Sequence, residues 1–184
     1  MRLRVAVAAT VLLAVACGGA DAEVIAPPKV DPALAPATLA ADLKLYENVD
    51  RETVEAFADA GETAVVADGR VWEIRRADRL LGTLQISTVM PRVDLISERT
   101  RDQLVSEIMP GERARVRIEG VEVHSSIVED RAFFLWFGAN LFEVIQMKDR
   151  RVDFEALVTE VIAHQRTIPA WKPLVEVLDP EEDR

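Results

Sequence analysis

A run of apolar residues from Ala132 to Phe137 constrains the fold more than any other feature of this sequence. Turn signals bound the run on both sides, with Glu129-Asp130 before it and Gly138-Ala139-Asn140 after it. Successive side chains on a strand point to opposite faces of a sheet, so a strand with this composition is apolar on both faces. The run therefore predicts a strand in the middle of a sheet, covered by a helix.

Other short β-rich runs predict two groups of strands. The first group covers Thr63 to Ala67, Arg70 to Arg76 and Leu80 to Met90, with Asp68-Gly69 as a hairpin turn between the first two. The gaps in the second group have the length of hairpin turns. Its predicted strands are Arg113 to Glu119, Val121 to Val128, Ala132 to Phe137 and Leu141 to Met147.

Helical periodicity appears in three segments, which are Asp50 to Ala60, Ser97 to Met109 and Asp153 to Arg166. The last carries an apolar stripe that should dock on the sheet. The order of elements predicts a single α+β domain, in which an antiparallel sheet of about six to seven strands is covered by helices.

The N-terminus has the pattern of an export signal. Met1 to Arg4 is basic, and the apolar run Val5 to Val15 is shorter than the roughly 20 residues that a spanning helix needs. Small residues follow and end at Cys17, the single cysteine of the chain. Residues 1–19 resemble the precursors of bacterial lipoproteins, although Ala14 stands where that pattern usually has leucine.

The resemblance implies cleavage before Cys17 and attachment of a diacylglyceryl group to its thiol. The protein would then be anchored through lipid to a membrane of the cell envelope, facing outside the cytoplasm. Ordinary secretion, with Cys17 left as a free thiol, is the alternative. The sequence leaves open whether the host has one membrane or two.

Composition divides the chain into four segments. Residues 17–42 contain the lipidated cysteine and an Ala/Pro-rich stretch typical of a flexible, disordered tether. We expect a signal peptide, this tether, one α+β domain and an acidic tail over residues 1–16, 17–42, 43–178 and 179–184 respectively.

Charge and cysteine content exclude several kinds of protein. The formal net charge is −10, and it becomes more negative once Arg2 and Arg4 leave with the signal peptide. Such a chain gains little from counterion release on nucleic acid, so no nucleic-acid partner is expected. One cysteine allows no intramolecular disulfide and no cysteine-based zinc site.

Candidate acid–base chemistry rests on few residues. His124 shares a predicted strand face with Glu122, while His164 lies late in the last helix, where a capping or surface role is more usual. Ser126 follows on the His124 face, but no Gly-x-Ser-x-Gly elbow accompanies it. We therefore assign no catalytic residue, no metal ligand and no cofactor.

Two further patterns could hold a ligand. Arg113, Arg115 and Arg117 alternate with apolar residues and should line one exposed strand face, near Arg75 or Arg79 of the first strand group. A solvated face with cross-strand ion pairs is the more ordinary interpretation. The other pattern is three tryptophans, which could line a cavity or pack in the core: Trp72, Trp136 and Trp171.

These features favour a membrane-anchored, non-enzymatic binding module for an envelope component, which could be a protein, a lipid or a small anionic ligand. The alternative is a hydrolase that acts on envelope material. An exposed and mutually adjacent Glu122, His124 and Ser126 would favour that alternative.

Overall fold

The computed structural model describes residues 28–39, 42–48, 65–148 and 152–174. These residues form eight strands and two α-helices, with a short 3-10 turn at Pro32–Leu34. In chain order the elements are β1 (Thr38–Leu39), β2 (Leu43–Asn48), β3 (Val66–Arg76), β4 (Arg79–Val89), α1 (Glu98–Ile108), β5 (Arg113–Ile118), β6 (Val121–Val128), β7 (Arg131–Phe137), β8 (Leu141–Met147) and α2 (Phe154–Gln165).

All eight strands belong to one antiparallel sheet with the order β1-β2-β3-β4-β8-β7-β6-β5. Strands β1 to β4 form one meander and β5 to β8 form a second, with α1 between the two in the chain. Pairing of β4 with β8 joins the meanders, from Gly82 opposite Met147 to Thr88 opposite Leu141. This arrangement leaves β1 and β5 as the edges of the sheet.

Each face of the sheet is covered by one of the two described helices. Leu157, Val158 and Ile162 of α2 pack in one apolar cluster with Trp136 and Ile145 of the sheet. Leu104 and Val105 of α1 pack in the other cluster, which includes the sheet residues Leu135, Phe137, Phe142 and Val144. Because β7 lies between β6 and β8, the prediction of a strand inside the sheet that is covered by a helix is confirmed, and its side chains contribute to both clusters.

Both helices begin at a capping side chain. The Ser97 hydroxyl accepts a hydrogen bond from the Thr100 N–H at 3.4 Å, and the Asp153 carboxylate accepts one from the Ala156 N–H at 3.1 Å. Each bond satisfies a donor that has no partner inside the helix. These caps fix where α1 and α2 start relative to the sheet.

The antiparallel sheet with covering helices agrees with the predicted class, but the number of strands does not. Eight strands are present rather than six or seven, and one predicted turn is wrong. Asp68-Gly69 lies inside the continuous strand β3, where the register against β4 shifts between Val66 and Asp68. A bulge at Ala67 accounts for this shift, because it adds a residue to β3, and Asp68 and Gly69 pair with Thr88 and Ser87 of β4 instead of reversing the chain.

The segment before β2 packs against the sheet, whereas the sequence predicted a flexible tether up to residue 42. Val30 and Leu34 are only 2% and 4% exposed. The Val30 N–H donates to the Asp68 carboxylate at 2.8 Å, and the Thr88 hydroxyl donates to the Pro28 carbonyl at 2.7 Å. Residues 28–39 are thus held by burial and by long-range hydrogen bonds.

Several predicted features lie outside the described residues. They are the signal peptide, Cys17, the helix at Asp50 to Ala60, the beginning of the strand predicted from Thr63, and the acidic tail from residue 179.

Candidate functional site

The three arginines of β5 lie on the edge strand, and all three are exposed. A turn at Glu119-Gly120, with φ of 49° and 76°, connects β5 to β6. Positive φ at both central residues is typical of the tight hairpin turn that matches the twist of its strands. This turn holds Arg117 opposite Glu122 and Arg115 opposite His124.

The arginine side chains have different partners. Arg113 donates to the Met109 carbonyl at 3.2 Å, at the C-terminal end of α1. Arg115 donates to the Asp102 carboxylate of α1 at 2.8 Å, with both side chains about half exposed. Among the described residues, no hydrogen bond or ion pair engages Arg117.

The expected proximity to Arg75 and Arg79 is wrong. Those residues belong to β3 and β4, whereas β5 pairs only with β6 within the described sheet. Four strand spacings separate β4 from β5, which amounts to roughly 19 Å at the usual distance between strands. The predicted row of three arginines exists, but it is not extended by the first meander.

His124 is buried beneath this row, with 3% of its surface exposed. Its Nε2 lies 3.3 Å from the Glu122 carboxylate, in ion-pair range but without the geometry of a hydrogen bond. Phe137 meets the imidazole edge-on, with 6.0 Å between ring centroids. Burial lowers the pKa of His124, with a smaller lowering by Arg115, against the opposing effects of Glu122 and Asp102.

Ser126 does not extend the Glu122 and His124 pair into a nucleophilic arrangement. It is 3% exposed, and its hydroxyl donates to the carbonyl of Pro110 in the connection after α1. A serine nucleophile must instead hydrogen-bond to its base and reach the substrate. Glu122, His124 and Ser126 alternate along β6, but the histidine and the serine are buried.

The other histidine, His164, contacts the N-terminal segment. Its Nε2 lies 2.8 Å from the Ala33 carbonyl, and Thr167 donates to the His164 carbonyl at the end of α2. This contact helps to hold the 3-10 turn against the helix.

All three tryptophans are buried, with exposed fractions of 5% for Trp72, 0% for Trp136 and 5% for Trp171. They belong to the same apolar cluster. Trp171 follows Pro169 and places the segment after α2 on the sheet, as the sequence predicted. The structure therefore shows core packing for these residues.

Glu143 is a fully buried carboxyl group beside the tryptophan cluster, and the sequence did not indicate it. The indole N–H of Trp171 donates to its carboxyl at 3.1 Å, and the amide of Gln165 donates to its other oxygen. Burial raises the pKa of Glu143 to about 7, although the hydrogen bonds from Gln165 and Trp171 oppose this rise. No signal in the run Leu141 to Ile145 distinguishes this glutamate from an exposed one.

Open clefts border both helices within the described part of the chain. The first, which we call the β5 cleft, has a volume of about 470 Å³ and lies between β5 and the start of α2. Its lining is formed by Val116, Arg117, Ile118, Phe134, Val152, Asp153, Phe154 and Glu155. The second, of about 520 Å³, is lined by residues of α1 and of the segment before it, including Arg92, Val93 and Leu104.

The described ranges contain no group of three His, Cys, Asp or Glu side chains that could hold a metal ion. Neither of the described helices has the length and apolar character needed to cross a membrane.

Comparison of the chain with protein-family models, with curated proteins and with solved structures gives no match.

Proposed function

We propose that this chain is a lipid-anchored lipoprotein of a bacterial envelope, whose folded domain binds an envelope component without catalysing a reaction. The anchor is proposed from residues 1–19 and Cys17. The anchor would explain where the domain acts. The proposed binding role rests on the surface of the domain.

The observation that carries the binding role is the outer edge of the second meander. Strand β5 has no strand beyond it in the described sheet, and the basic Arg117 lines an open cleft with the apolar Val116 and Phe154. A concave, largely apolar surface with a few polar groups is the usual form of a binding site.

The geometry of Glu122, His124 and Ser126 argues against the hydrolase alternative. The serine hydroxyl is engaged by a backbone carbonyl, and the imidazole is buried beneath Arg115. A substrate would have to displace both contacts before the cluster could act on it. We therefore propose binding rather than hydrolysis.

Cell fractionation tests the anchor. The full chain, produced in a bacterial host, should stay with the membranes, because two acyl chains bury many methylene groups at about 0.8 kcal/mol each. The Cys17→Ser variant should appear in the soluble fraction. Equal membrane retention of the two chains would contradict lipid attachment at Cys17.

Native mass spectrometry tests the binding role. The full chain should be extracted with mild detergent from its own host, because a fragment starting at Leu43 would lack the buried residues Val30 and Leu34. A bound lipid, anion or protein in stoichiometric amount would support the proposal. A mass equal to that of the acylated chain alone, at every detergent concentration, would count against it.

A further inference from the structure

The edge strand β5 exposes backbone groups that another chain can use. β6 pairs with one side of Arg113–Ile118, and no described strand pairs with the other side. Five of its six residues are exposed, and the sixth, Ile118, is 6% exposed. An open edge of this kind is a template for the addition of a strand.

The two faces of β5 differ in chemistry because side chains alternate along a strand. Arg113, Arg115 and Arg117 share the face on which Arg115 reaches Asp102 of α1. The opposite face carries Ala114, Val116 and Ile118, and Ile118 packs in the cluster beneath α2. Val116 is 44% exposed and lines the β5 cleft.

We propose that β5 receives an extended segment of a partner protein, in which acidic and apolar residues alternate, as an additional strand of the sheet. The acidic side chains lie along the arginine face, and the apolar ones lie beside Val116 and enter the β5 cleft. This inference rests on the proposed binding function and names its site and the class of its partner.

Charges on the two faces of β5 determine which side chains of the partner strand lie on each face. Glu122 stands opposite Arg117 in the register, but its carboxylate lies near His124 and Arg115, so Arg117 is left to meet an incoming carboxylate. The lining of the β5 cleft carries two carboxylates, Asp153 and Glu155, against the single guanidinium of Arg117, so it disfavours acidic groups. A partner shifted by one residue would therefore place each kind of side chain on the unfavourable face.

A second copy of this chain fits the edge poorly. In an antiparallel pair of β5 strands centred on Arg115, Arg113 of each copy faces Arg117 of the other. Like charges directly opposite each other destabilise a strand pair. Charged side chains on an edge strand can also act only to prevent pairing with other chains. In that case no peptide should bind to β5, and the experiment below distinguishes this outcome from partner binding.

A fluorescein-labelled peptide of eight residues that alternates valine and glutamate is a suitable probe, measured by fluorescence anisotropy with the full chain in detergent. We expect saturable binding, and no binding when lysine replaces glutamate. Arg117→Glu should weaken binding about tenfold, since it turns an attractive cross-strand pair into a repulsive one. The control is Lys44→Glu, the same charge change at an exposed site on β2, which should leave the affinity unchanged.

Two N-methylated peptides test the backbone pairing without changing the protein. Methylation of alternate residues removes the N–H groups on one side of the peptide only. The peptide methylated on the side that faces β5 should not bind, and the peptide methylated on the other side should bind as before. Equal binding by both series, equal effects of Arg117→Glu and Lys44→Glu, or no binding of the peptide would overturn the proposal. Mass spectrometry could still detect a bound envelope component in that case, so the two proposals fail separately.

Discussion

The centre of the sheet and its β5 edge both contain charged or ionisable groups, but they use them in opposite ways. At the centre, the Glu143 carboxyl is fully buried, and hydrogen bonds from Gln165 and Trp171 hold it inside the molecule. At the edge, the exposed Arg115 forms its ion pair in solvent, and Arg117 has no described partner. Stability therefore depends on the packed centre, whereas the side chains of the β5 edge are largely exposed to solvent.

The largest effect on stability should come from truncating the largest fully buried side chain of the sheet. Trp136→Ala deletes a side chain with 0% exposure, so we expect a loss of about 3–5 kcal/mol in the free energy of unfolding. Ile127→Ala, at a residue that is 59% exposed, is the control and should cost less than about 1 kcal/mol. Chemical denaturation measures both, and similar losses would contradict the assignment of the core.

The pH dependence of Glu143 is the next largest effect. The unfolded carboxyl loses its proton near pH 4.5 and the folded one near pH 7, so the folded state holds more protons between these values. The contribution of Glu143 to the free energy of unfolding is therefore greatest below pH 4.5. It falls by about 3 kcal/mol in total as the pH rises to 7.

Glu143→Gln should remove this slope, because glutamine does not ionise in this range. Denaturation of both proteins between pH 4.5 and 8 would show wild-type stability decreasing relative to the variant. Parallel curves would mean that Glu143 does not take up a proton on folding.

The pH dependence of His124 should have the opposite sign and a smaller size. Its folded pKa lies below 6.5, so the unfolded state binds the proton first as the pH falls, and stability from this group declines below about pH 6.5. In a Glu143→Gln background, which removes the opposing slope, adding His124→Gln should make stability less sensitive to acid. An unchanged acid dependence would indicate that His124 is solvated.

The smallest effect belongs to the surface ion pair at the edge. Arg115→Ala should lower the free energy of unfolding by less than about 1 kcal/mol, because both Arg115 and Asp102 are about half exposed. A double-mutant cycle with Asp102→Ala measures the coupling, which 1 M salt should reduce. A coupling of several kcal/mol would show that this edge is as constrained as the centre.

Local sequence patterns were sufficient to predict the second meander. The bounds of β6 and β8 agree with the prediction, because turn residues mark each end and the side chains follow the period of a strand. The row of arginines on β5 follows from the same alternation. Their contacts with α1 do not, since they depend on how this helix packs against the sheet.

The features that were missed depend on long-range contacts. Asp68-Gly69 resembles a hairpin turn, but in the fold the Asp68 carboxylate accepts the Val30 N–H and β3 continues. Pro32 and Pro36 are typical of a tether, yet Pro32 begins a 3-10 turn that buries Leu34. The burial of Glu143 depends on α2 and on Trp171, and neither is close to it in the sequence.

Hydrogen–deuterium exchange of the full chain, with and without the alternating valine–glutamate peptide, tests most directly whether the β5 edge is the binding surface. We expect slower exchange in residues 113–118 when the peptide is bound, with no change in β2, β7 and β8. Protection that is absent from residues 113–118, or that lies in β2 instead, would contradict binding at the β5 edge.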